Sequence, residues 1–235
     1  MTRPSSRIPE TVMIWNAARG GMRSVVEGYR DDGFLDAHRT RLIAAYGDGG
    51  FARRQFILIL ALARFLFVLT TRPVGLVHVH AAMRGSFWRK GLFSSLARLF
   101  GKPVILHLHG SEMKSFYAAL PIWAQRMVCR HLEKATCVVA LSESWREFIE
   151  GIAPRARVAV IPNYIRLSAP TGNAGRNPRS ILFLGLIGDR KGVFDLLPAF
   201  SAVHRNHPDA RLCIGGNGEV ERARASARSM GIGNV

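Results

Sequence analysis

Apolar residues return along the first 165 positions in two alternating rhythms. Short apolar or alternating runs predict strands at 11–16, 40–46, 75–80, 104–109, 137–141 and 158–161. Between them apolar positions recur every third or fourth residue. That spacing predicts helices at 22–30, 56–70, 86–100, 122–134 and 142–149, the last with Ser142 as its N-cap. Pro73, Gly101 and Pro103 punctuate the series. Strict alternation of strand and helix argues an α/β fold with a parallel sheet covered on both sides.

The rhythm breaks once, at Ser-Ala-Pro-Thr-Gly-Asn-Ala-Gly-Arg-Asn-Pro-Arg over 168–179, a linker by composition. It resumes with a strand at 181–187, a helix at 193–206, a strand at 210–215 and a helix at 219–230. Asn234 and Val235 read as the entry to a third strand. This second stretch is half of a doubly wound domain, and a parallel sheet of two strands cannot cover both faces and bury a core. The expected organisation is a Rossmann-like domain over 1–167, a linker over 168–179 and an incomplete Rossmann-like domain over 180–235.

Composition changes this picture in one respect. A hydrophobic fraction of 48% is ordinary for a globular protein. The charge is not: 33 basic side chains stand against 16 acidic ones, for a net +17. Such a balance attracts phosphate, whether nucleotide, anionic lipid surface or nucleic acid. No aromatic-basic ribonucleoprotein pattern or helix-turn-helix signature is present, which favours nucleotide and lipid over nucleic acid. Cys129, Cys137 and Cys213 fit no zinc spacing and read as reduced core thiols of a cytosolic protein. Residues 1–10 are polar, without a signal-peptide pattern. The apolar run 56–70 is too short to span a bilayer and contains Arg64. It reads as a buried core helix, with an interfacial helix as the lesser reading.

Four clusters carry candidate chemistry. Gly20-Gly21 follows a strand and opens a helix, where backbone can approach an anion; a tight turn without ligand accounts for the pair equally well. Gly185-Leu-Ile-Gly-Asp-Arg-Lys-Gly192 sets Arg190 and Lys191 at a strand-to-helix turn, where a diphosphate would meet a helix N-terminus and two cations. Gly215-Gly-Asn-Gly-Glu219 is a second such turn, and Gly216, Asn217 and Gly218 would lie against a nucleotide. The third glycine of a dinucleotide fingerprint is absent after Gly218, which weakens a nicotinamide or flavin enzyme. Finally, His78 and His80 end one strand, and His107 and His109 end the next. Their number suits zinc, but no carboxylate completes a ligand set. His78 and His107 read as satisfied strand-end histidines, and His109 as the best candidate for substrate contact.

Taken together, these pieces resemble glycosyltransferase family 4, retaining sugar transferases of the GT-B fold. The residues that carry the likeness are Gly20-Gly21, Leu106-His-Leu-His-Gly110, Val160-Ile-Pro-Asn163, the Gly185–Gly192 turn, Gly215–Glu219 and the Gly231-Ile-Gly-Asn-Val235 ending. The run His78-Val-His-Ala-Ala-Met-Arg-Gly-Ser-Phe-Trp-Arg-Lys90 is similar to members that build surface polysaccharides. The resemblance implies a nucleotide-sugar donor, a glycan or lipid-linked acceptor and metal-independent transfer in the cytoplasm, peripheral to the membrane's inner face. It implies that Gly21 approaches the donor's distal phosphate or sugar and that Lys191 neutralises the diphosphate leaving group. Gly216–Gly218 would sit near the nucleoside, and His109 would contact the donor sugar. Two departures stand out. Leu186 occupies a position where the family carries arginine, and no two glutamates lie eight positions apart. A truncated, impaired transferase is the leading expectation. The rivals are a non-catalytic glycan- or partner-binding remnant and a basic nucleic-acid binder.

Overall fold

The computed structural model describes residues 9–18, 20–110, 112–163 and 177–233. The chain divides into two compact units, Met1–Leu167 and Ser168–Val235.

The first unit runs β1 (Glu10–Trp15), α1 (Gly21–Asp31), α2 (Phe34–Ala37), β2 (Thr40–Ala44), α3 (Phe51–Thr71), β3 (Val74–Ala81), α4 (Gly85–Leu99), β4 (Val104–Leu108), α5 (Met113–Ala118), α6 (Ile122–Glu133), β5 (Cys137–Ala140), α7 (Glu143–Ile152) and β6 (Val158–Val160). Its six strands form one sheet in the order β2-β1-β3-β4-β5-β6, parallel at every pairing. Each strand presents alternate residues to opposite faces. Val12, Ile14, Val77 and Val79 join Phe65 of α3 and Phe93 of α4 in the larger core. Met13 and Trp15, the alternate positions, pack with Val26 of α1 and Leu35 of α2 in a smaller one. His78 pairs in register with Met13, and His80 with His107. The histidines therefore belong to the α1 face, the less apolar of the two.

The second unit runs β7 (Ser180–Leu184), a short 3-10 turn (Asp189–Lys191), α8 (Val193–Asn206), β8 (Arg211–Gly215) and α9 (Val220–Ser229). β7 and β8 pair in parallel. Val193, Leu197 and Phe200 of α8 pack with Leu212 of β8 and with Ala223 and Ala227 of α9. Leu182 and Leu184, successive on one face of β7, stay exposed. Two strands cover one face only, as their number dictates.

Several local expectations need correction. The short α2 and α5 went unread, because neither is long enough to show a helical period. Ser142 stands at the N-cap of α7 but makes no capping bond; its Oγ lies 3.1 Å from Ser144 Oγ instead. None of the three thiols is fully buried, and Cys213 is exposed because it alternates with the buried Leu212. The tail of the linker, 177–179, is described; its remainder and residues 234–235 lie outside the described residues. The largest correction concerns α3. It is 21 residues long, apolar and long enough on that basis to cross a membrane, yet only 22% of its most apolar window is buried. Ala61, Phe65, Val68 and Leu69 face the sheet, while Phe56, Ile59, Leu60 and Phe67 face outward. It is not a wholly buried helix: Phe65 is locked in the sheet's core while the opposite side is exposed.

Candidate functional site

In both units the candidate residues lie at the carboxyl ends of parallel strands, where open α/β sheets bind ligands. In the first unit, Gly20 follows β1 with φ +147° and serves as N-cap of α1, with no side chain capping that helix. Its carbonyl accepts from the amides of Arg23 and Ser24. A Cβ built on Gly21 would meet nothing within 4 Å. Among the described residues no packing requires glycine at position 21, and none covers the helix N-terminus beside it, where an anion would meet free amides.

Lys90 supports this loop from beneath, a role sequence reading missed. Its Nζ donates to the Trp15 carbonyl at the end of β1, 2.7 Å away. Burial, with Arg89 adding to it, lowers its pKa to about 7. A lysine among apolar helix positions gave no signal that it would reach 75 residues back along the chain.

The four histidines cluster at the ends of β3 and β4. His80 Nδ1 lies 2.7 Å from His109 Nε2, and His78 Nε2 lies 3.3 Å from His107 Nδ1. Burial pushes His78 down to about 4, with His109 adding to the shift. Burial likewise takes His107 to about 2 and His80 well below the ordinary range. His109 falls to about 4, where burial outweighs a side-chain hydrogen bond with Asn163 that pulls the other way. All four imidazoles are neutral at pH 7. His109 therefore acts as a neutral hydrogen-bonding group, held by His80 on β3 and by Asn163 after β6. The expectation that His107 is satisfied needs correction: its Nε2 and that of His80 are buried without a partner among the described residues. Each such atom costs about 1–3 kcal/mol. His78, His80 and His107 bring nitrogens within 4.8 Å of one another, and imidazole is a ligand type suited to transition metals.

In the second unit two turns lie side by side. The Ile187 amide donates to the Asn217 carbonyl at 2.7 Å, the Glu219 amide donates to the Ile187 carbonyl at 2.9 Å, and Ile187 bridges Gly218. Gly216 and Gly218 have φ +157° and +119°; a Cβ on Gly216 would sit 1.7 Å from the Gly185 carbonyl oxygen, and one on Gly218 2.3 Å from that of Ile187. The close approach these glycines permit is first of all that of the neighbouring turn. Arg222, also unread in the sequence, fastens the two turns together. It donates to Asp189 Oδ2 at 3.0 Å and to Glu219 Oε2 at 2.7 Å, with its guanidinium 3.9 Å over the Phe194 ring. Arg190 and Lys191 are exposed on this fastened platform, and Gly192, with φ +76°, opens α8 just beyond them. Arg190, Lys191, Gly216, Asn217 and Gly218 thus share one sheet end. Gly20, Gly21 and His109 share the corresponding end of the other unit.

Comparison with known proteins agrees with this architecture. Residues 12–164, well over half of the chain, match the model of the glycosyl transferase 4-like domain. The chain belongs to that family. It is 28% identical over 121 residues to a GDP-mannose:cellobiosyl-diphosphopolyprenol alpha-mannosyltransferase of Xanthomonas campestris. It is 30% identical over 122 residues to the protein so named from Xanthomonas oryzae pv. oryzae (strain PXO99A). Each match covers 50% of this chain and 32% of the relative, so the chain matches about a third of the length of these curated relatives. The structure also resembles the lipopolysaccharide outer core galactosyltransferase WaaB in its apo form. The TM-score is 0.56 at 16% identity, over 96% of this chain and 66% of that one. That likeness shows the fold, a GT-B type built from Rossmann-like units.

Proposed function

We propose that the chain carries out retaining glycosyl transfer, from a nucleotide-sugar to a glycan borne on a lipid diphosphate, in the synthesis of a surface polysaccharide. The observation that carries this reading is the family match over 12–164. The acceptor class is carried over from the names of the two Xanthomonas relatives. Work on such an acceptor would bring the protein to the cytoplasmic face of the membrane.

The chemistry requires that the bond from the sugar's anomeric carbon to the diphosphate break, its electrons leaving on the diphosphate. A new bond then forms to an acceptor hydroxyl, whose proton passes to the departing diphosphate. The developing negative charge is the main barrier, and preorganised cations are the main remedy. Lys191 and Arg190 are exposed on a turn that Arg222 pairs to its neighbour through Asp189 and Glu219, at the N-terminal side of α8. In this reading they meet the diphosphate without a metal ion, and Arg190 stands in for the arginine that Leu186 replaces. Gly216–Gly218 would pass near the nucleoside. The open backbone at Gly21 would meet the distal phosphate or sugar. Neutral His109 would offer a hydrogen bond to the donor sugar by exchanging its Asn163 partner.

The test is Lys191→Ala. We expect turnover to fall about a hundredfold, with acceptor binding within about twofold of the parent and no loss on adding a chelator. Equal loss of turnover and acceptor affinity would remove the phosphate role.

A further inference from the structure

The outward side of α3 has no partner among the described residues. Phe56, Ile59, Leu60 and Phe67 recur at three-, four- and seven-residue spacing and form one stripe along the helix. All are exposed, Phe67 at 63%. The stripe continues onto α4, which packs beside α3. Leu62 of α3 and Leu92, Leu96 and Leu99 of α4 line one shallow groove, and Leu99 is 80% exposed. A contiguous apolar surface of this kind on a soluble fold marks an interaction site.

Charge selects the occupant. α3 carries Arg53, Arg54 and Arg64, and α4 carries Arg89 and Arg98 besides the buried Lys90; neither helix contains an aspartate or glutamate. Arg53 and Arg64 fall seven and three or four positions from members of the stripe, at its edge, and both are exposed. A second copy of the chain on this face would set arginines against arginines, since a two-fold interface is self-complementary. An anionic lipid surface accepts both parts. Apolar side chains enter the acyl boundary and arginines stay among the headgroup phosphates.

We infer that the α3/α4 face is a docking surface for anionic lipid bilayers. α3 lies flat in the interface, its inner stripe keeping hold of the sheet. The inference gains its purpose from the lipid-borne acceptor proposed above, but docking itself needs neither donor nor acceptor.

The experiment is co-sedimentation of the full chain with vesicles of phosphatidylcholine alone or with about a third phosphatidylglycerol, with hydrogen exchange followed on the bound protein. We expect binding to the anionic vesicles that weakens with salt, and new protection over 51–71. Phe56→Asp with Phe67→Asp lowers partitioning at least a hundredfold, since both rings would leave the acyl boundary. Arg53→Glu with Arg64→Glu lowers it about tenfold or more. All four positions are exposed, so the variants keep the parent's circular dichroism and melting temperature. Parent-like binding by both variants overturns the inference. So does protection that appears with protein concentration in the absence of vesicles, which would assign the face to a second copy. Absence of vesicle binding overturns docking and leaves the transfer reading to the Lys191→Ala assay.

Discussion

Glycines of the same apparent kind do different work here. Gly21 has open space where a Cβ would stand, whereas a Cβ on Gly216 would collide with the Gly185 carbonyl. Gly21→Ala should leave the melting temperature unchanged or raise it slightly, since alanine is favoured in a helix by roughly 0.5–1 kcal/mol. It should still weaken donor affinity about tenfold, as measured by calorimetry with the nucleotide-sugar. Unchanged affinity would reduce Gly20-Gly21 to a turn. Gly216→Ala should lower the stability of the second unit by more than about 2 kcal/mol in urea unfolding, donor or no donor. The sequence made the two positions look alike, because a strand-gly-helix pattern does not say which atoms lie opposite the glycine. His80 and Asn163 were likewise invisible as partners of His109, for they arrive from β3 and from beyond β6.

Among the elements, α3 separates pattern from packing. Its period was readable, but its two apolar stripes gave no sign of which one the sheet would take. Phe65 is fully buried against Phe93, with ring centroids 5.4 Å apart, whereas Phe67 is exposed. Phe65→Ala should cost about 3–5 kcal/mol, and Phe67→Ala less than about 0.5 kcal/mol in solution. Equal costs in chemical denaturation would mean that the helix is rotated from the position described. The strands were the most legible elements, since short β-branched runs between turn residues leave few alternatives. The turns between β7, α8, β8 and α9 were legible as turns only. Their union through Arg222 joins positions 33 residues apart.

For the molecule as a whole, the buried histidines set a pH dependence. His78 and His109 of the cluster, and His131 on α6 apart from it, have pKa values of about 4 in the fold, with burial as the first cause. In the unfolded chain each would titrate near 6.5. Above that pH both states are neutral and these groups contribute nothing to the slope. Between about 6.5 and 4 the unfolded chain binds more protons, so stability falls as pH falls, by up to about 1.4 kcal/mol per pH unit for each histidine. Denaturant midpoints measured at pH 7.5, 6 and 5 should drop steadily over the last two. A flat profile would mean that the cluster is open to water. Lys90 acts in the same sense at higher pH, its value lowered to about 7.

The sequence by itself determined the alternation of strand and helix, the parallel sheet, the positions of the glycine and cation turns, and the excess of positive charge. These are local or summed properties, set by periodicity, turn chemistry and composition. Only the tertiary structure decided which stripe of α3 is buried, that four histidines meet and stay neutral, that Lys90 reaches the end of β1, and that Gly216 and Gly218 serve a neighbouring backbone. Each of those depends on atoms brought together from distant positions, and a one-dimensional pattern carries no record of which atoms those are.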